Sequence, residues 1–254
     1  MKKWEQAARS FIDSCSFKDE IDAVFLTGSY ASGNADEFSD IDLYIVLSND
    51  AKWRERGNKY VDGFIIEYFA NPLRKIMNYI DDSYANASLI EINMILSGVV
   101  IYNQNSAAEK VIDYCTQKSM TDFPKMGEFN IKTGLLTLWD SHDELHRAYK
   151  KQSLDMTMQF YEFMRSAFEL YSRYICSPVP GHHKLYRWLL DENYHQRYGL
   201  PTYNDPVFLE MVKHVFKVTG EKAMYDLSHD IYTYVTHKMG GFDIGSYVLH
   251  GPCD

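Results

Sequence analysis

Two short apolar runs, one ending in Gly28-Ser29 and the other opening on Asp40-Ile41-Asp42, constrain this chain more than any other feature. The first, Ala23-Val24-Phe25-Leu26-Thr27, is apolar and β-branched and reads as a buried strand. Gly28 ends it, because glycine allows backbone angles and close approaches that a side chain forbids. Ser29 falls where a strand hands over to a helix or loop, a place where free N–H groups point at anions. Ten residues later the second run, Asp40-Ile41-Asp42-Leu43-Tyr44-Ile45-Val46-Leu47, reads as another strand. The segment between them, with Gly33 and Asn34 inside it, reads as a short helix and a loop.

Strand side chains alternate faces, so Asp40 and Asp42 project to one side and Ile41 to the other. Two carboxylates roughly 7 Å apart along a strand repel each other unless a cation sits between them. Ligands made only of oxygen, with positions left open, suit Mg²⁺, which keeps water and takes phosphate oxygens as its other ligands. A Gly-Ser turn and a carboxylate pair, each abutting a strong strand, therefore predict phosphate-transfer chemistry.

Gly28-Ser29 followed by Asp40-Ile41-Asp42 resembles the signature of the DNA polymerase beta-like nucleotidyltransferase superfamily. The motif covers roughly residues 20–70. The resemblance implies transfer of a nucleoside monophosphate from an NTP to a hydroxyl, with Gly28 and Ser29 at the nucleotide phosphates and Asp40 and Asp42 on Mg²⁺. It also implies a third carboxylate on a later strand and two metal ions. Glu67, inside Gly63-Phe64-Ile65-Ile66-Glu67-Tyr68-Phe69, is the candidate, since an acid amid aromatic and β-branched residues is costly to bury unless it is paired or metal-bound. The superfamily more often places Asp there. Asp62 is the fallback and reads as a turn with Gly63.

The pattern predicts an α+β chain in two parts. Residues 1–122 form a small mixed-sheet catalytic domain: a helix over 3–15, strands near 22–27, 40–48, 60–70 and 99–102, and helices near 71–82, 86–96 and 105–118. Asn71-Pro72 marks the turn into a helix, with Pro at its first position. From 123 to 254 strand signals vanish, and helical spacing near 129–151, 153–175, 182–193, 204–218 and 220–238 predicts an all-helical, substrate-binding domain. An α/β head with a helical tail is similar in layout to small-molecule nucleotidyltransferases that modify aminoglycosides and lincosamides.

In the second half, Asp140-Ser141-His142-Asp143-Glu144 is the densest titratable cluster. Asp140 and Glu144 share a helix face, and such a like-charged pair raises the pKa of one member, which suits a general base. Glu144 is the choice for the acceptor hydroxyl, as relatives draw a carboxylate base from this region. The alternative is a solvated face on which Asp143 pairs Arg147. Lys184, after the Pro178–Gly181 break and at a helix start, is the choice for the triphosphate, with Arg165 and Arg173 as alternates. His182 and His183 are adjacent and read as surface or capping residues rather than ligands.

A net charge of −9, with no Lys/Arg-rich run, weighs against a long nucleic-acid substrate and favours cationic partners. The four cysteines are far apart, which argues against a zinc site or disulfide framework and fits a reducing cytoplasm. The first residues lack a signal peptide's apolar core, and no stretch reaches membrane-span length. The leading expectation is a cytoplasmic, Mg²⁺-dependent enzyme moving AMP from ATP to a small hydroxylated acceptor such as an antibiotic. The rivals are a protein- or tRNA-modifying transferase and a non-catalytic nucleotide-binding scaffold.

Overall fold

The computed structural model describes residues 2–181, 185–191, 193–195 and 201–251. It divides into two compact units, Met1–Asp122 and Phe123–Asp254. The first is a five-stranded mixed sheet with helices, and the second has helices and no strand among its described residues.

In the first unit, α1 (Lys3–Ser14) precedes β1 (Ile21–Thr27), the one-turn α2 (Gly28–Ala31) and β2 (Ile41–Leu47). A hairpin of β3 (Glu55–Val61) and β4 (Phe64–Pro72) follows. Then come α3 (Leu73–Ala85), α4 (Ile90–Leu96), β5 (Val99–Asn103) and α5 (Ala107–Ser119). The strand order is β3-β4-β2-β1-β5. β2 and β4 run parallel, and the other neighbouring pairs are antiparallel.

Strand alternation divides the sheet into two faces of different chemistry. Val24 and Leu26, then Ile41, Leu43 and Ile45, then Ile66, Tyr68 and Ala70 turn one way and pack with Ala7, Ala8, Phe11 and Ile12 of α1. Each large aliphatic side chain buried there contributes roughly 1.5–3 kcal/mol. The opposite face carries Asp42 and Tyr44 of β2 beside Glu67 and Phe69 of β4, their register partners. Asp42 and Glu67 thus lie on the face that α1 does not cover.

The structure corrects two details of the sequence pattern. Where one strand is predicted near 60–70, the chain makes two, joined by Asp62 and Gly63, both with positive φ. That two-residue turn matches the right-handed twist of the flanking strands. The extra strand, Glu-Arg-Gly-Asn-Lys-Tyr-Val, is an edge strand with mostly exposed side chains, so no apolar alternation announces it. Pro72 is the N-cap of α3, in an extended conformation, rather than its first helical residue.

The second unit contains α6 (Glu128–Lys150), α7 (Met156–Tyr174), α8 (Leu185–Leu190), α9 (Pro206–Lys213) and α10 (Glu221–Lys238). Its core joins Leu138 and Leu145 of α6, Phe160, Phe163, Phe168 and Tyr171 of α7, Phe208 of α9 and Ile231 of α10. Asp205 caps α9 by accepting the Val207 and Phe208 N–H groups, and it also accepts the Tyr171 and Tyr234 hydroxyls. Burial pushes this carboxyl up, but those hydrogen bonds outweigh burial and leave it below its ordinary value. Among the described residues, no helix is long and apolar enough to cross a membrane.

Candidate active site

The site is assembled where β1 ends and β2 begins. Thr27 pairs with Asp42 across the β1–β2 ladder, so the residue after Thr27 sits against the Asp42 side chain. That residue is Gly28, with φ +65°, and a Cβ placed there would lie 1.9 Å from Asp42 Oδ2. Glycine is therefore required twice over, by its conformation and by the carboxylate against it.

The chain then turns tightly. The Ser29 carbonyl accepts the Asn34 N–H at 2.9 Å and the Ser32 hydroxyl at 3.2 Å. Ser29 stands in the first turn of α2, where N–H groups have no partner within the helix. A second small turn delivers the next acid: Asp36 Oδ1 accepts the Phe38 N–H at 3.0 Å and the Ser39 hydroxyl at 2.9 Å. Asp40 follows directly, just before β2. Asp36 and Ser39 are functional in this positioning sense and carry a local signal, since Asp and Ser side chains close turns on nearby backbone.

Asp42 and Glu67 are direct partners across parallel β2 and β4. Asp40, Asp42 and Glu67 each offer one oxygen, and these three atoms lie within 4.8 Å of one another. An oxygen-only donor set of this size fits a divalent Mg²⁺- or Mn²⁺-type ion. Asp62 stays in the hairpin turn and lies outside this group.

Arg56 of β3, which the sequence pattern does not single out, donates from Nη2 to Glu67 Oε1 at 2.8 Å. Its Cζ lies 4.4 Å from the centroid of the Phe69 ring. Phe69 in turn stacks on Tyr44 with centroids 6.4 Å apart. Burial pushes the Tyr44 phenol far above its ordinary value, so this row of aromatics stays neutral beside the carboxylates.

In the second unit, Glu144 lies exposed on α6. Its Oε1 accepts from Arg147 at 3.1 Å, and Arg147 also pairs with Asp143. Asp140 is exposed one turn before Glu144. Arg165 pairs with Glu162 at 2.8 Å, and Arg173 lies half-buried on α7. Lys184, His182 and His183 lie outside the described residues.

Comparison with known proteins agrees with this geometry. Residues 8–81 match the family model described as a nucleotidyltransferase domain, a span containing Gly28, Ser29, Asp40, Asp42, Arg56 and Glu67. A protein of Methanocaldococcus jannaschii, provisionally named a protein adenylyltransferase, is 35% identical over 60 residues. Those residues are 23% of this chain and 41% of that relative, so the chain spans about two fifths of the curated relative it matches. The crystal structure of a nucleotidyltransferase-like protein from Exiguobacterium sibiricum aligns with 93% of this chain and 74% of its own. Its TM-score is 0.50 at 10% identity, a likeness of fold alone.

Proposed function

We propose that this chain is a member of the DNA polymerase beta-like nucleotidyltransferase superfamily and transfers a nucleoside monophosphate from an NTP to an acceptor hydroxyl, a reading supported by the match of residues 8–81 to a nucleotidyltransferase domain. The observation that carries this reading is the convergence of Asp40, Asp42 and Glu67 within 4.8 Å beside the Gly28 turn. ATP is the expected donor and Mg²⁺ the expected metal, held by the three carboxylates. A bound divalent metal, or a pair of them, supplies charge neutralisation at the phosphoryl oxygens.

The chain's own groups do the rest. Gly28 and Ser29 form the turn against which the β- and γ-phosphates would rest, and Lys184 would add a cation to them. Glu67 and Asp42 face each other across two strands, so their spacing is fixed by backbone hydrogen bonds rather than by loops. Catalysis here is mostly positioning and charge compensation. The Phe123–Asp254 unit is assigned to acceptor binding, and Glu144 is the proposed base for the acceptor hydroxyl. Its contact with Arg147 holds the side chain while leaving the carboxylate exposed. A small hydroxylated acceptor, an aminoglycoside or lincosamide among the candidates, suits a helical unit of this size. A protein hydroxyl is the second reading, supported by the name of the Methanocaldococcus relative.

Thermal unfolding with each of ATP, GTP, CTP and UTP, with and without Mg²⁺, tests the site. The expected result is a Mg²⁺-dependent rise in melting temperature for at least one nucleotide, lost in Asp42→Asn. A stabilisation of equal size in the variant would count against the carboxylate site.

A further inference from the structure

The ion pair between Arg56 and Glu67 is built with more care than a surface contact requires. β3 lies at the sheet edge and pairs with β4 so that Arg56 stands opposite Phe69 and Asn58 opposite Glu67. Alternation then puts Arg56, Asn58, Glu67 and Phe69 on one face, which also carries Asp42 and Tyr44. The guanidinium rests over the Phe69 ring at 4.4 Å, and that ring stacks on Tyr44, which is only 4% exposed. An arginine side chain 69% exposed is thus held by a packed aromatic row and aimed at one oxygen of one acid.

Three carboxylate oxygens within 4.8 Å repel one another when ionised. Unopposed, that repulsion would swing the most mobile acid away. Glu67 has one more rotatable bond than Asp40 or Asp42, so it stands to lose the most order. Arg56 takes its Oε1 at 2.8 Å and adds a positive charge beside the group.

We propose that Arg56 is a positioning residue that preorganises Glu67 for divalent metal before nucleotide binds. The inference rests on the reading of Asp40, Asp42 and Glu67 as the metal site. Partners of metal ligands at this remove typically change metal affinity or activity about 10–100-fold when removed. Arginine rather than lysine is needed because a planar fork over an aromatic ring has a fixed direction, whereas an ammonium on a flexible stem does not.

The test is Mn²⁺ titration of the full-length, nucleotide-free protein, with free Mn²⁺ read by electron paramagnetic resonance. Arg56→Gln is expected to weaken binding about tenfold or more, and Arg56→Lys to recover part of the loss. Lys59→Gln removes a charge from the same strand on the opposite sheet face, where Lys59 lies over the Phe11 ring, and should leave Mn²⁺ affinity unchanged. Phe69→Leu, which removes the platform and keeps the arginine, should fall between wild type and Arg56→Gln. It also serves should Arg56→Gln fail to fold. In turnover, Arg56→Gln should raise the Mg²⁺ concentration for half-maximal rate more than it lowers the rate at saturating Mg²⁺. Unchanged or tighter Mn²⁺ binding in Arg56→Gln, with Asp42→Asn abolishing it, would overturn the role of Arg56 alone. Undiminished Mn²⁺ binding in Asp42→Asn would overturn the metal site itself.

Discussion

At the scale of single residues, the site depends on what is absent from Gly28 as much as on what the acids present. Any side chain there meets Asp42 Oδ2 at 1.9 Å and must also accept φ +65°. The conformational part alone costs about 1 kcal/mol. The displacement of Asp42 matters more, because it moves a carboxylate out of the group proposed to share one ion. Gly28→Ala is therefore expected to lose about 1–2 kcal/mol in urea unfolding while its Mn²⁺ affinity falls at least about tenfold. Wild-type affinity in that variant would show that the close approach has no functional consequence.

At the scale of elements, the packing of α6, α7 and α10 holds a histidine in a poor place for a charge. His142 of α6 stacks on Tyr232 of α10 with centroids 4.3 Å apart and planes 9° apart, and its ring is 5.4 Å from that of Phe163 on α7. Its Nε2 is buried and has no hydrogen-bond partner. Burial first, then His229 and His146, lower its pKa from 6.5 to about 4, against the opposing pull of Asp143. With the folded value depressed, the unfolded chain takes up the proton first. Stability from the neutral ring is full above pH 6.5 and is lost as pH falls towards 4. His142→Phe should flatten the decline of melting temperature with acid across that window. An unchanged slope would contradict the assignment.

The elements also show what the sequence could and could not reveal. β1 and β2 were legible because both are buried runs bounded by turn residues, and Asp40 and Asp42 were conspicuous at their junction. Glu67 was legible for the same reason, as an acid in an aromatic strand. β3 was not, because an exposed edge strand of charged and polar residues has no hydrophobic period. Arg56 was hidden with it, since its partner lies across a ladder that local spacing does not encode. Asp36 and Ser39 carried a turn signal, but their purpose appears only once Asp40 is seen to follow them into the site.

At the scale of the whole molecule, the units have separate buried clusters, one of them between α1 and the sheet and another among the helices after residue 123. The residues proposed for phosphate chemistry, Gly28, Ser29, Asp40, Asp42, Glu67 and Arg56, all belong to the first unit. On the proposed function, a net charge of −9 would make local compensation by metal and by Arg56 all the more necessary for binding a polyanionic nucleotide. The central claim is that these carboxylates catalyse nucleotidyl transfer, and pyrophosphate release measures it most directly. Wild-type protein and Asp42→Asn are incubated with Mg²⁺, each of the four NTPs, and a panel of aminoglycosides, lincosamides and cell extract. The account predicts pyrophosphate from wild type with at least one NTP, ATP first, and a rate at least about a hundredfold lower in Asp42→Asn. No pyrophosphate from any combination, or equal release by the variant, would contradict it.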